Sequence, residues 1–198
     1  MSDRKPAATT AATAAPQRAV LVMGDSLSAA YGLSAAQGWV SLTAQKIAKE
    51  KPGWRVVNAS ISGETSAGGA ARIGAELKRQ KPSVVVIELG ANDGLRGLPL
   101  SQTRANLARM IAAAKAANAK VLLIGMRLPP NYGPDYTRQF EQLFRDLSRQ
   151  QKTAYLPFLL QPIAMDDSAF QADRLHPVAS AQPKLRDHVW PALAPLLK

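Results

Sequence analysis

VLVMGDSLS, residues Val20 to Ser28, is a short apolar run that stops abruptly at Gly-Asp-Ser. The run from Ala19 to Met23 has the length and continuity of a strand covered on both faces, as in a parallel sheet. Gly24 permits the sharp turn that follows. Ser26 then stands just beyond the carboxyl end of the first strand, where α/β sheets bind their ligands. The same three residues also make an ordinary turn or helix N-cap.

Outward from this stretch, apolar runs alternate with segments of helical period. Gly38 to Glu50 reads as an amphipathic helix closed by Pro52-Gly53, and Trp54 to Asn58 as a second strand. A turn at Ser60 to Gly63 leads into a helix from Thr65 to Gln80, whose Gly68, Gly69 and Gly74 predict an irregular first turn. VVVIEL, Val84 to Leu89, is the clearest strand. A long helix over Leu100 to Asn118 and a fourth strand over Val121 to Gly125 follow. Proline excludes helix from Met126 to Asp135, which reads as an extended loop. Tyr136 to Gln151 is amphipathic, Ala154 to Leu156 is a fifth strand, and Pro157 to Leu175 is mostly loop. A last helix begins near Ala181 and is kinked or ended by Pro191. This alternation implies right-handed βαβ units. The expected fold is a three-layer α/β/α sandwich on a five-stranded parallel sheet of flavodoxin-like order.

With 198 residues, 46% of them hydrophobic, the chain can bury one full core. No stretch approaches the roughly 20 apolar residues that span a bilayer. The absence of cysteine excludes thiol catalysis, disulfides and thiolate zinc sites, and two histidines are too few for a multi-histidine metal centre. The formal charge of +11 comes from Lys and Arg spread at helical spacing, which reads as solvated helix faces rather than a nucleic-acid tract. Such a surface could still draw the chain peripherally to anionic lipid. Residues 1–18, rich in Ala, Thr and Pro, read as a flexible leader before a single domain over 19–198. They lack the leucine-rich core of a signal peptide, so the chain as written is expected in the cytoplasm, or in the periplasm if a leader has been removed.

Polar residues suited to acyl transfer recur at the carboxyl ends of successive strands: Ser26 after the first, Gly63 after the second, Asn92 after the third, Asp173 and His176 after the fifth. Parallel strands bring those ends to one rim. In ADRLHP, Pro177 turns His176 away from helix, so Asp173 and His176 can meet as a carboxylate holding an imidazole. A serine nucleophile needs such a base and such an orienting acceptor. Asn92 and the backbone N–H of Gly63 could flank a developing oxyanion. Each residue also has an ordinary role: a loop histidine, a turn asparagine, a tight-turn glycine. His188 reads as a helix-face residue, and Asp25 and Asp93 as structural acids bonding neighbouring N–H groups in their turns.

Four ordered blocks resemble those of the GDSL, or SGNH, hydrolases: GDSLS at Gly24 to Ser28, SGET around Gly63, GAND at Gly90 to Asp93 and DRLHP at Asp173 to Pro177. The resemblance runs from about Val20 to Leu197. VVNASISGETS, ELGANDGLRG and RLPPNYG bring it close to the bacterial multifunctional branch, described as thioesterase, arylesterase, lysophospholipase and protease. It departs at Arg174, where relatives often carry glycine. The resemblance implies a monomeric serine esterase and thioesterase acting on small-molecule acyl substrates without a cofactor or metal. Ser26, His176 and Asp173 would form the triad; Ser26, Gly63 and Asn92 would form the oxyanion hole. A carbohydrate acetylesterase on the same scaffold and a non-catalytic flavodoxin-like binding module are the alternatives.

Overall fold

The computed structural model describes residues 17–198; the leader assigned to the first residues lies almost wholly outside them. In chain order the elements are β1 (Arg18–Gly24), α1 (Trp39–Glu50), β2 (Trp54–Asn58), α2 (Ser66–Gln80), β3 (Val84–Glu88), α3 (Ala91–Leu95), α4 (Leu100–Ala116), β4 (Lys120–Ile124), α5 (Pro134–Gln151), β5 (Ala154–Leu156) and α6 (Gln182–Leu193). The strands form one parallel sheet of order β2-β1-β3-β4-β5, which is the flavodoxin-like order. Helices α1 and α6 pack together on one face, and α2, α4 and α5 on the other. Right-handed crossovers dictate this split, because the chain first steps outward from β1 to β2 and then returns across β1 to build β3, β4 and β5.

The central strands are apolar throughout because both faces are covered. Val20 to Met23, Val84 to Ile87 and Val121 to Ile124 are all buried. Where the chain direction of the winding reverses, between β1 and β3, the register pairs Val20 with Val84 and Gly24 with Glu88. A crevice opens beyond such a reversal, since the loops leaving the two strands part to opposite faces.

Five local expectations are corrected. GANDG is not a simple turn: Ala91–Leu95 forms the short helix α3, entered through Gly90 in the left-handed region. The first turn of α2 is regular despite its glycines, with Thr65 Oγ1 accepting from the Gly68 N–H at 3.3 Å. The proline-rich loop contains a 3-10 turn at Pro130–Tyr132, and α5 starts at Pro134, where proline suits a first helical turn. Helix α6 runs through Pro191 to Leu193 before a 3-10 turn ends it. The first strand also starts at Arg18, inside the assigned leader.

Two glycines of α2 differ in what surrounds them. A methyl group on Gly69 would stand 2.4 Å from Leu89 Cδ1 and 3.0 Å from Met110 Cε, whereas one on Gly74 would meet nothing within 4 Å. Gly69 lets α2 approach α4 and the end of β3; Gly74 only weakens the helix. Gly69→Ala should therefore destabilise the fold by about 1–3 kcal/mol through overpacking, while Gly74→Ala should stabilise it by about 0.5–1 kcal/mol. Urea denaturation midpoints of the two variants check the opposite signs.

Candidate active site

Ser26 lies in the turn leaving β1. The turn is held from both sides, since Asp25 Oδ1 accepts from the Leu27 N–H at 3.0 Å and the Asn58 side chain donates to the Ser28 carbonyl at 2.9 Å. His176 Nε2 lies 2.8 Å from Ser26 Oγ, and His176 Nδ1 lies 2.6 Å from Asp173 Oδ2. Ser26, His176 and Asp173, spread over most of the chain, thus stand in one hydrogen-bonded line. Asp173 Oδ1 also accepts from the backbone N–H groups of Leu175 and His176 at 2.9 and 3.0 Å. Those N–H groups, with the His176 ring, hold the Asp173 carboxyl down at about 2. It remains a carboxylate across the neutral range.

The segment carrying Asp173 and His176 is fixed by backbone pairing. Gln171 N–H donates to the His176 carbonyl at 2.8 Å, Val178 N–H donates to the Ala169 carbonyl at 2.8 Å, and Phe170 bridges Pro177. Arg174, at the tip, has φ of 59° in the left-handed region. That conformation costs a residue other than glycine about 1–2 kcal/mol. The Tyr31 ring packs on His176 with centroids 4.3 Å apart.

Gly63 and Asn92 line the same cavity as Ser26 and His176. Gly63 has φ of 80°, so the turn after β2 needs glycine for its backbone rather than for space. The loop is anchored by Arg72, which donates to Glu64 Oε1 at 2.9 Å and to the Ala59 carbonyl at 2.6 Å. The Asn92 amide donates to the Glu64 carbonyl at 2.9 Å, which fixes its plane and leaves a second N–H free for a ligand.

Two structural acids differ from expectation or extend beyond it. Asp93 does not bond its neighbours: it accepts from the Ser66 N–H and hydroxyl at 2.8 and 2.6 Å and from the Thr103 hydroxyl at 2.8 Å, tying α3 to α2 and α4. Asp25 bonds Leu27 as expected, but it also lies beside Glu88, a fully buried acid that no motif singles out. The available signal was a lone carboxylate at the end of VVVIEL. His188 Nε2 pairs with the Phe158 carbonyl at 2.9 Å, away from the cluster. Among the described residues no group of His, Cys, Asp and Glu is placed to hold a metal ion.

The cavity over Ser26 has a volume of about 640 Å³, and its walls include Leu95, Met126, Leu128, Pro129, Phe158 and Leu160. Tyr31, Met165 and Leu175, all exposed, stand at its mouth. The model of the GDSL-like lipase/acylhydrolase family matches residues 22–182. The chain belongs to this family. Esterase TesA of Pseudomonas aeruginosa is 52% identical over 183 residues, covering 92% of this chain and 91% of that protein. Thioesterase 1/protease 1/lysophospholipase L1 of Escherichia coli is 41% identical over 184 residues, covering 93% and 87%. The structure of the psychrotrophic esterase EstA from Pseudoalteromonas sp., inhibited by monoethylphosphonate, superposes with a TM-score of 0.87 at 41% identity, covering 91% of this chain and 99% of that one.

Within this GDSL-family site, Asp93 is a buried carboxyl that accepts from three donors, and truncation removes their acceptor at once. Asp93→Ala should cost about 3 kcal/mol or more, because buried donors are left without an acceptor. Guanidinium unfolding of the variant measures it.

Proposed function

We propose that this GDSL-family hydrolase is a serine esterase and thioesterase that cleaves acyl esters and thioesters, including aryl esters, acyl-CoA and lysophospholipids, through an acyl-enzyme. The observation that carries the reading is the line Asp173, His176, Ser26, at 2.6 and 2.8 Å, with Ser26 and His176 lining a largely apolar cavity. His176 Nε2 takes the proton of Ser26 Oγ as the oxygen attacks the acyl carbonyl, and Asp173 holds Nδ1–H and stabilises the imidazolium. The N–H groups of Ser26 and Gly63 and the Asn92 amide receive the oxyanion. His176 then gives its proton to the departing alcohol or thiol, and water repeats the sequence in reverse to release the acid.

The family resemblance supplies the named substrates, and the cavity's chemistry supports an acyl chain as what they share. An apolar pocket of about 640 Å³ is in the size range of small-molecule sites and can bury most of an acyl chain. Each buried methylene contributes roughly 0.8 kcal/mol, so longer acyl chains should be favoured until the cavity is filled. A thiolate leaves more readily than an alkoxide because thiols are more acidic. Thioesters and activated aryl esters should therefore depend least on protonation by His176, and amides should react most slowly. In name, the relatives of known activity are an esterase and a thioesterase, protease and lysophospholipase, which agrees with this range of leaving groups.

Hydrolysis of p-nitrophenyl esters from acetyl to palmitoyl tests the reading. Ser26→Ala should abolish turnover and fluorophosphonate labelling, and Asn92→Ala should lower kcat by about 100-fold or more with the fold intact. Full turnover in folded Ser26→Ala would defeat the reading. An optimum at acetyl, with preference for acetylated sugar, would turn it to a carbohydrate acetylesterase.

A further inference from the structure

Beneath the Ser26 turn lies a cluster that the mechanism does not use. Glu88 closes β3 and is entirely removed from solvent, and Asp25, beside it across the β1/β3 pairing, is almost as deeply buried. The Ser28 hydroxyl donates to Glu88 Oε1 at 2.6 Å. Glu88 Oε2 is buried with no hydrogen-bond partner, and the Asp25 carboxyl lies close enough for the two acids to act on each other. An orphaned carboxyl oxygen beside a second buried acid gains a partner there only with a proton between the two. Among the described residues the titratable groups acting on the pair are each other and, on Asp25, His176, and no lysine or arginine pairs with either acid. Burial first and the Asp25 charge second push Glu88 well above the ordinary glutamate range.

We infer that Glu88 keeps its proton and acts as a positioning residue, bracing the Ser26 turn from below by joining Ser28 on one side of the nucleophile to Asp25 on the other. With that proton on Oε2, the chain of bonds would run from the Ser28 O–H to Glu88 Oε1, from the Glu88 Oε2–H to the neighbouring Asp25 carboxylate, and from the Leu27 N–H to Asp25 Oδ1. Ser26 is thus flanked on both sides by residues tied to one buried side chain. The pair holds a single negative charge, on Asp25, on the side of His176 where it favours the imidazolium formed when Ser26 loses its proton. Loss of the Glu88 proton would set two buried charges in contact and break the bond to Asp25, so the turn would loosen as the pair ionises. Deepening the proposed function, this inference rests on Ser26 as the nucleophile.

The sign of the stability effect follows from linkage. A carboxyl whose folded value is raised binds its proton more tightly in the folded chain, so stability falls as pH rises from the unfolded value, about 4.3, toward the folded one. Glu88→Gln keeps a neutral donor and acceptor in nearly the same volume and removes that titration.

The deciding experiment compares wild type, Glu88→Gln and Glu88→Ala by thermal unfolding and by kcat and KM on p-nitrophenyl butyrate between pH 5 and 10. Expected for Glu88→Gln is a kcat at pH 7 within about three-fold of wild type, a Tm advantage that grows as pH rises above about 5, and a shallower alkaline loss of kcat. Glu88→Ala should lower kcat about ten-fold or more with KM nearly unchanged, since the brace acts on the nucleophile rather than on ground-state binding. Glu88→Gln alone decides the matter if Glu88→Ala does not fold. Three results would overturn the inference: a Tm difference between Glu88→Gln and wild type that does not vary with pH, an alkaline limb identical in the two, or a folded Glu88→Ala with wild-type kcat. Failure of the nucleophile assignment itself is separable, because it shows as turnover in Ser26→Ala while the pH dependence of Tm still reports the Glu88 proton.

Discussion

The parallel pairing of β1 with β3, which sets Gly24 beside Glu88, is the constraint on which the site depends. It makes these two strands neighbours at the reversal of winding, so the turns leaving them open onto one crevice. Ser26 comes from the turn after β1 and Asn92 from the short helix α3 that follows β3. The same pairing buries Glu88 directly under the Ser26 turn, where it accepts from Ser28 and lies beside Asp25. A slip of one residue would turn the apolar side chains of β3 to the opposite faces and carry Glu88 away from Ser28. With both faces of the strand buried, no such slip is cheap.

The remaining side chains reach the crevice on loops, and each loop is stiffened by bonds of its own. Arg72 fastens the Gly63 loop through Glu64 and the Ala59 carbonyl. Glu64 in turn offers the carbonyl that orients Asn92. The long segment after β5 folds back on itself through the Phe170 to Pro177 bridge, and Gln171 ties it to Tyr31 by donating to its carbonyl at 2.9 Å. Loops held in this way can present reacting groups within hydrogen-bond distance without the support of a regular element. The cost of this placement shows at Arg174, where an ordinary residue sits in the left-handed region between the two residues that must meet.

Much of this was legible beforehand. The five strands, the parallel sheet and its order follow from apolar runs of strand length alternating with segments of helical period, because a strand covered on both faces has little freedom of composition. Ser26, Gly63, Asn92, Asp173 and His176 could be singled out because each follows a strand on the same edge, and because their ordered motifs resemble one family. Less legible was anything that depended on distant partners. Asp93 looked like a turn acid, yet it bonds Ser66 and Thr103 from two other elements. GANDG looked like a turn because glycine and asparagine are poor helix formers, but Gly90 in the left-handed region starts the short helix α3. Gly69 looked like a defect in α2 and is a point of close approach to Leu89 and Met110.

The sequence by itself determined the class of fold, the edge of the sheet that carries the chemistry and the residue types gathered there, since these rest on local periodicity and on the rule that parallel strands share a common direction. Only the tertiary structure decided which donors meet which acceptors: the 2.8 Å approach of His176 to Ser26, the free N–H of Asn92, and the buried contact of Glu88 with Ser28 and Asp25. Hydrogen bonds act over about 3 Å, and that precision depends on packing among segments far apart in the chain, which no local pattern of residues encodes.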